Sequence, residues 1–174
     1  MKKILIISAM IASVAGVKAD PTTGGTGAAK SEAAFQAALT PDIAIHPRTT
    51  EIHGLSLNVW GENPQRGVAL GFVNGSTGES SGFSWAFIAN YDESYTGVQW
   101  GLVNYSKNNF LGWQAGLVDC AQGNFNGLQW GFVNYAESLH GVQIGLINVA
   151  ENNSWFNEFP DKLAKGFPIV NWSF

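Results

Sequence analysis

A short pattern copied down the chain limits what it can fold into. Gly97-Val-Gln-Trp-Gly-Leu-Val-Asn-Tyr105 recurs as Gly127-Leu-Gln-Trp-Gly-Phe-Val-Asn-Tyr135. Gly112 to Cys120 and Gly141 to Val149 are further copies, weaker ones start at Gly54, Gly67 and Gly82, and Phe167-Pro-Ile-Val-Asn-Trp172 is a partial one. The starts fall 13 to 15 residues apart. A unit this small cannot bury a face alone, so the copies must stabilise one another as neighbours.

Within each copy the apolar residues alternate at period two, the pattern of a strand and not of a helix. One face carries Val98, Trp100 and Leu102, matched by Phe83, Trp85, Phe87 and by Leu128, Trp130, Phe132, and none of its members is charged. The other face carries Gln99, Gly101, Val103 and Tyr105, with glycine again at Gly71, Gly116, Gly131 and Gly145. Glycine inside a strand signals close approach of another group, or simple relief of crowding beside large rings, and both readings stay open here. Glu79, Asp92, Glu93, Lys107, Glu137 and Glu151 fall in the connections.

The expected fold is all-β: an antiparallel meander of about eight or nine short strands from repeats of about 15 residues, curled or closed into a barrel. Nine strand residues and six connecting ones suit hairpins, whereas parallel strands need crossovers of about a dozen residues or more. A sheet this large curls, and closure removes its edges. About two dozen large apolar side chains share one face, each worth about 1.5–3 kcal/mol when buried, so that face is expected to be hidden against a core, a partner or lipid. A β-solenoid with one repeat per coil is the alternative. Recurring Asn74, Asn104, Asn134 and Asn148 suit stacked ladders, yet fifteen residues leave little room to turn the chain after a nine-residue strand.

Residues 1–19 read as a signal peptide: Lys2 and Lys3 precede the apolar run Ile4 to Val17, and cleavage is expected after Ala19. Its removal takes away Lys2, Lys3 and Lys18 and no acid, lowering the formal charge from −4 by three, to −7. Residues 20–32 read as a flexible leader and 33–174 as a single β-repeat domain. A first strand over Ala33 to Leu39 breaks at Thr40-Pro41-Asp42 and resumes at Ile43 and Ile45. The stretch Glu151 to Lys165 leaves the period. Asn153 or Ser154 would cap a short helix carrying Trp155, Phe156, Phe159 and Leu163 before the last strand, with Pro160 kinking or ending it. Alternating Val170, Trp172 and Phe174 suit the closing strand of an outer-membrane barrel. The repeat register, however, gives Phe174 the parity of Gln99 and Gly101, and three apolar residues span only about 15–20 Å of a ~25 Å lipid band.

The tandem Gly-hydrophobic-Gln-x-Gly-Leu-Val-Asn units, the segment Trp60-Gly-Glu-Asn-Pro64 and the ending Phe167-Pro-Ile-Val-Asn-Trp-Ser-Phe174 resemble a family of bacterial surface-repeat proteins over roughly His53 to Phe174. The resemblance implies a cell-envelope location and no reaction. Ala86, Asp119 and Cys120 depart from its pattern.

Little chemistry stands out. A lone cysteine excludes a disulfide framework, and the acidic balance argues against nucleic acid. His46, His53 and His140 have no zinc set around them, since only Glu51 lies between the first two. Ser84 in Gly82-Phe-Ser-Trp-Ala86 sits within a repeat strand and not at a strand-to-helix turn. Asp92 and Glu93 read as a solvated turn, and Cys120 as a strand-end thiol. No metal and no cofactor are expected. Trp85, Trp100 and Trp130 remain as a candidate ligand-binding cluster, with core packing as the plainer reading. The expectation is a non-catalytic repeat protein of the outer membrane or cell surface, structural or interacting in role, whose partners are outer-membrane lipid or envelope components. The alternative is a soluble periplasmic β-barrel that binds an apolar or carbohydrate ligand through those tryptophans.

Overall fold

The repeat does not run straight for nine residues. In Gly97–Tyr105 the chain bends at Gly101 and Leu102, and it bends again at Lys107 and Asn108. Each copy therefore supplies short arms around a corner, and fifteen residues suffice for a full coil. The computed structural model describes residues 31–153 and 168–174 and forms a β-solenoid of about eight turns. Its strands are β1 (Glu32–Thr40), β2 (Ile43–Ala44), β3 (Glu51–Glu62), β4 (Arg66–Trp100), β5 (Val103–Ser106), β6 (Asn109–Gly145), β7 (Ile147–Ala150) and β8 (Ile169–Ser173). The long strands β4 and β6 are extended chain that winds through successive coils. No helix occurs among the described residues.

All-β architecture holds, but the meander and the barrel do not. β1 pairs β3, β3 pairs β4, and β4, β5, β6 and β7 pair onward, all in parallel. Val98 sits beside Trp113 and Asn104 beside Asp119, one repeat apart and in register. The crossover that parallel strands require is the remainder of the coil itself. β2 on β1 and β8 on β6 are antiparallel. β1 and β2 occupy the positions expected of the broken first strand. The segments expected as a signal peptide, as most of a leader and as a short helix with Trp155, Phe156, Phe159 and Leu163 lie outside the described residues.

The corner also reverses parity. Gln99 and Gly101 point inward on the first arm, Leu102 and Val103 both point outward across the bend, and Asn104 and Ser106 point inward on the second arm. The interior is thus largely polar. Gln99, Gln114, Gln129 and Gln143 are buried in one column and Asn74, Asn90, Asn104, Asp119, Asn134 and Asn148 in another, which Asn58 joins by its side chain from the register position of Gly71. On the third arm a stack of Tyr95, Phe110 and Phe125 forms the apolar core with Leu139 and Ala121, Ala136 and Ala150. Phe110 and Phe125 lie parallel with centroids 5.1 Å apart.

Burying amides is costly unless each is paired, and here they pair with one another. Asn153 donates to Asn171, Asn171 to Gln143, Gln143 to Gln129, Gln129 to Gln114 and Gln114 to Gln99, at 2.8–3.1 Å. Gln99 Nε2 completes the ladder by donating to Asp92 Oδ2 at 2.7 Å. The asparagine ladder runs the other way: Asn58 donates to Asn74, Asn74 to Asn90, Asn90 to Asn104, and Asn104 to Asp119 Oδ1. Asn104 and Asn134 also donate to Ala115 O and Ile144 O, carbonyls next to the bend of the following coil.

The recurring glycines answer the question left open above: the close approach is real. A Cβ on Gly101 would lie 2.9 Å from both Ala86 O and Asn90 Nδ2, and one on Gly116 2.8 Å from Asn104 Nδ2. Neighbouring coils and the asparagine ladder occupy that space.

Candidate interaction face

The first arm and its corner have their outward side chains on one long surface, and that surface is bare. Trp85, Trp100 and Trp130 are exposed, as are Leu57, Val59, Val68, Phe72, Phe83, Phe87, Leu102, Leu117, Phe132, Ile144 and Leu146. Of the three expected covers, the chain's own core is therefore not the one: these side chains lie outside the coil. The physical reason is space and pairing. Beside the first arm and the corner, the inward positions are taken by the glutamine and asparagine ladders and by the glycines, and the asparagines supply the donors for carbonyls next to the corner, so the large apolar side chains of this arm point outward.

The structure brings Trp85, Trp100 and Trp130 to this one face. Trp100 is the lateral neighbour of Ala115, and the ring of Trp113 comes within 6.4 Å of Trp100 and 6.1 Å of Trp130, centroid to centroid. Trp113 and Trp130 stack at 10°, so each ring turns a face to its neighbour. Between the tryptophan column and the corner column of Phe87, Leu102, Leu117 and Phe132 runs an open trough of about 740 Å³, floored by Ala86, Gly101, Gly116 and Gly131 and closed at one end by Ile169. A second apolar depression, lined by Leu39, Ile43, Ile45, Leu57, Val59 and Phe72, shares Trp85 and Phe87 with the first. The apolar surface is continuous from the first coil to the last.

β8 extends it. Trp172 lies opposite Val142 and Val170 opposite Ile144, while Asn171 pairs with Gln143. The antiparallel register thus puts Val170, Trp172 and Phe174 on the parity of the apolar columns, correcting the parity inferred from the repeat spacing.

Several ionisable residues belong to the interior or to ion pairs. Asp92 is buried, not solvated, because it is the in-register neighbour of Ser106, an inward position. It accepts from Ser106 Oγ and Gln99 Nε2, yet burial dominates and raises its pKa to about 7. Asp119 stands where other coils carry asparagine. Burial raises its pKa to about 7 against the opposing hydrogen bond from Asn104. Cys120 is a buried strand residue beside Tyr105, its thiol raised to about 11 by burial and then by the charge of Asp119. Ser84 is buried and donates to Asn90 Oδ1 at 2.7 Å.

Spacing hid two of these groupings. Asp92 pairs with Ser106 because its coil carries one extra residue between Gly82 and Asn90, whereas the 15-residue step from Gly82 to Gly97 sets it against Lys107. Glu32, Glu51 and His53 meet because β1 and β3 are parallel and Glu32 pairs with Glu51. His53 Nε2 lies 3.7 Å from Glu32 Oε1 and 3.6 Å from Glu51 Oε1. Arg66 also donates to that Glu51 oxygen. Its guanidinium neutralises the carboxylate, which makes the trio an ion-pair cluster. His46 is held elsewhere, its backbone N–H donating to Gln36 Oε1.

No protein-family model matches the chain, and no match is found among curated proteins or among solved structures.

Proposed function

We propose that this is an exported, non-catalytic binding protein of the cell envelope, a β-solenoid that offers one apolar face to an apolar partner. The observation that carries the reading is the bare, uncharged surface built around Trp85, Trp100 and Trp130. Contiguous apolar patches beyond a few hundred Å² are uncommon on monomers and mark contact sites. The buried Asp92, Asp119 and Ser84 support a non-catalytic role, since each points into the coil interior, away from the trough. The export signal at residues 1–19 and the resemblance to bacterial surface-repeat proteins support an envelope location. An apolar partner fits better than a carbohydrate. Sugar stacking uses open ring faces and a rim of hydrogen-bonding groups, whereas the stacked tryptophans turn faces to one another and the trough walls are aliphatic or aromatic.

Acrylamide quenching of tryptophan fluorescence tests this. Nonionic detergent micelles should protect the tryptophans of the purified chain. Trp100→Glu combined with Trp130→Glu should abolish micelle binding and leave the far-UV circular dichroism unchanged. Tryptophans that quench as freely with micelles as without them, at every chain concentration, would overturn the reading.

A further inference from the structure

We infer that the occupant of the face is a second copy of this chain, seated face to face about a two-fold axis. The inference rests on the reading of this face as a contact surface and names its partner.

Size comes first. From β1 to β8 the face spans nine neighbouring strands, Phe35 through Leu55, Val68 and Val98 to Val142 and Trp172. At about 4.8 Å per strand its length is about 38 Å, and five residues of arm with their side chains give a width of about 17 Å. That is roughly 650 Å² per copy, or about 1,300 Å² for two, within the ~1,200–2,000 Å² of stable interfaces.

Shape and charge agree. The face has a ridge, the corner column Phe72, Phe87, Leu102, Leu117, Phe132 and Leu146, and beside it the trough with its glycine floor. A two-fold axis lying in the interface plane, parallel to the solenoid and between ridge and trough, lays the ridge of each copy along the trough of the other, which is the self-complementarity that an isologous dimer needs. Two sheets packed this way sit about 10 Å apart, as in a β-sandwich. No column of the face holds Lys, Arg, Asp or Glu, so pairing desolvates no charge. A phospholipid surface is the weaker occupant. The chain is acidic, with a formal charge of −4, and the face has no basic residue to meet a phosphate headgroup. At both ends of the solenoid an antiparallel piece, β2 or β8, breaks the repeat geometry, which favours lateral over end-to-end association.

Sedimentation equilibrium of the purified chain in detergent-free buffer decides the matter, alongside flotation with neutral phosphatidylcholine vesicles. The expected result is a dimer that does not float. Trp100→Glu with Phe132→Glu should weaken it about 30-fold or more, and the single change Leu117→Ser, which leaves the coil interior untouched, should weaken it less. A monomer that floats with vesicles overturns the dimer in favour of lipid and leaves the contact face standing. A monomer that neither floats nor binds micelles overturns both readings. A dimer indifferent to all these changes places its interface elsewhere and overturns the inference.

Discussion

Replacing Gly112 by valine should leave the chain unable to fold. Gly112 has φ of +139° and stands in a column with Gly67, Gly82, Gly97, Gly127 and Gly141, all at positive φ. A Cβ at Gly112 would overlap Gly97 O, a backbone atom that cannot move without displacing the neighbouring coil. Conformational strain and steric overlap add, and the overlap touches the ladder on which both coils depend. The expected cost exceeds about 5 kcal/mol, comparable to the whole stability of an ordinary domain. Gly78 is the control. Its φ is +61°, but nothing lies within 4 Å of a Cβ there, so Gly78→Ala should cost only about 1 kcal/mol. Urea unfolding followed by circular dichroism separates the two, and similar losses for both would contradict the stacked glycine column.

Asp119→Asn should stabilise the protein, and by more as the pH rises. Asp119 Oδ2 and Asn134 Oδ1 are both buried acceptors with no hydrogen-bond partner. They lie beside the same glycine: a Cβ on Gly131 would be 2.7 Å from the first and 2.8 Å from the second. One proton on Asp119 joins them, the hydroxyl donating to the Asn134 carbonyl oxygen and restoring the ladder between Asn104 and Asn148. The unfolded carboxyl titrates near 3.8 and the folded one near 7. Folding therefore takes up a proton between those values. The stabilisation from Asp119 is complete below about pH 3.8 and is lost as pH rises through about 7, where an ionised carboxylate faces another acceptor. A substituted amide accepts from Asn104 and donates to Asn134 at every pH. With about 1.36 kcal/mol per pKa unit, the variant should gain on the order of 3–4 kcal/mol at pH 8 and change little at pH 4. Asp92, raised to about 7 by burial, keeps a second share of the wild-type pH dependence in both proteins. Urea midpoints at pH 4, 6 and 8 provide the comparison. Stability curves that run parallel for wild type and variant would contradict the buried proton.

What could be read from the amino acids alone divides at the corner residue. Period two made the strands legible, and the copies of Gly97–Tyr105 gave the spacing at which Tyr105 meets Cys120. Recurring asparagine pointed to a ladder. The direction of the strands was hidden, because a nine-residue alternation looks like one straight strand unless Gly101 and Leu102 are known to bend. That bend places Leu102 and Val103 outward in succession, and no count of alternation reveals it. The rule that large apolar residues go inside then chose the wrong face. It fails beside the first arm, where the inward positions are taken by the amide ladder of Gln99, Gln114 and Gln129 and by the glycines. Trp85, Trp100 and Trp130 were legible as a cluster, whereas their exposure was not. Asp119 was visible as a departure from asparagine, but its burial needed the inward parity of Asn104.

The parallel coil itself can be tested with a single new thiol. Tyr105 and Cys120 are in-register neighbours on adjacent coils, about 4.8 Å apart at Cα, within the ~4.4–6.8 Å that a disulfide spans. In an antiparallel hairpin of the same two copies they would sit at opposite ends, about 26 Å apart. Mild oxidation of folded Tyr105→Cys, read by mass spectrometry of the unreduced peptides, should give the 105–120 disulfide within the monomer. Two free thiols in a folded chain would contradict the solenoid.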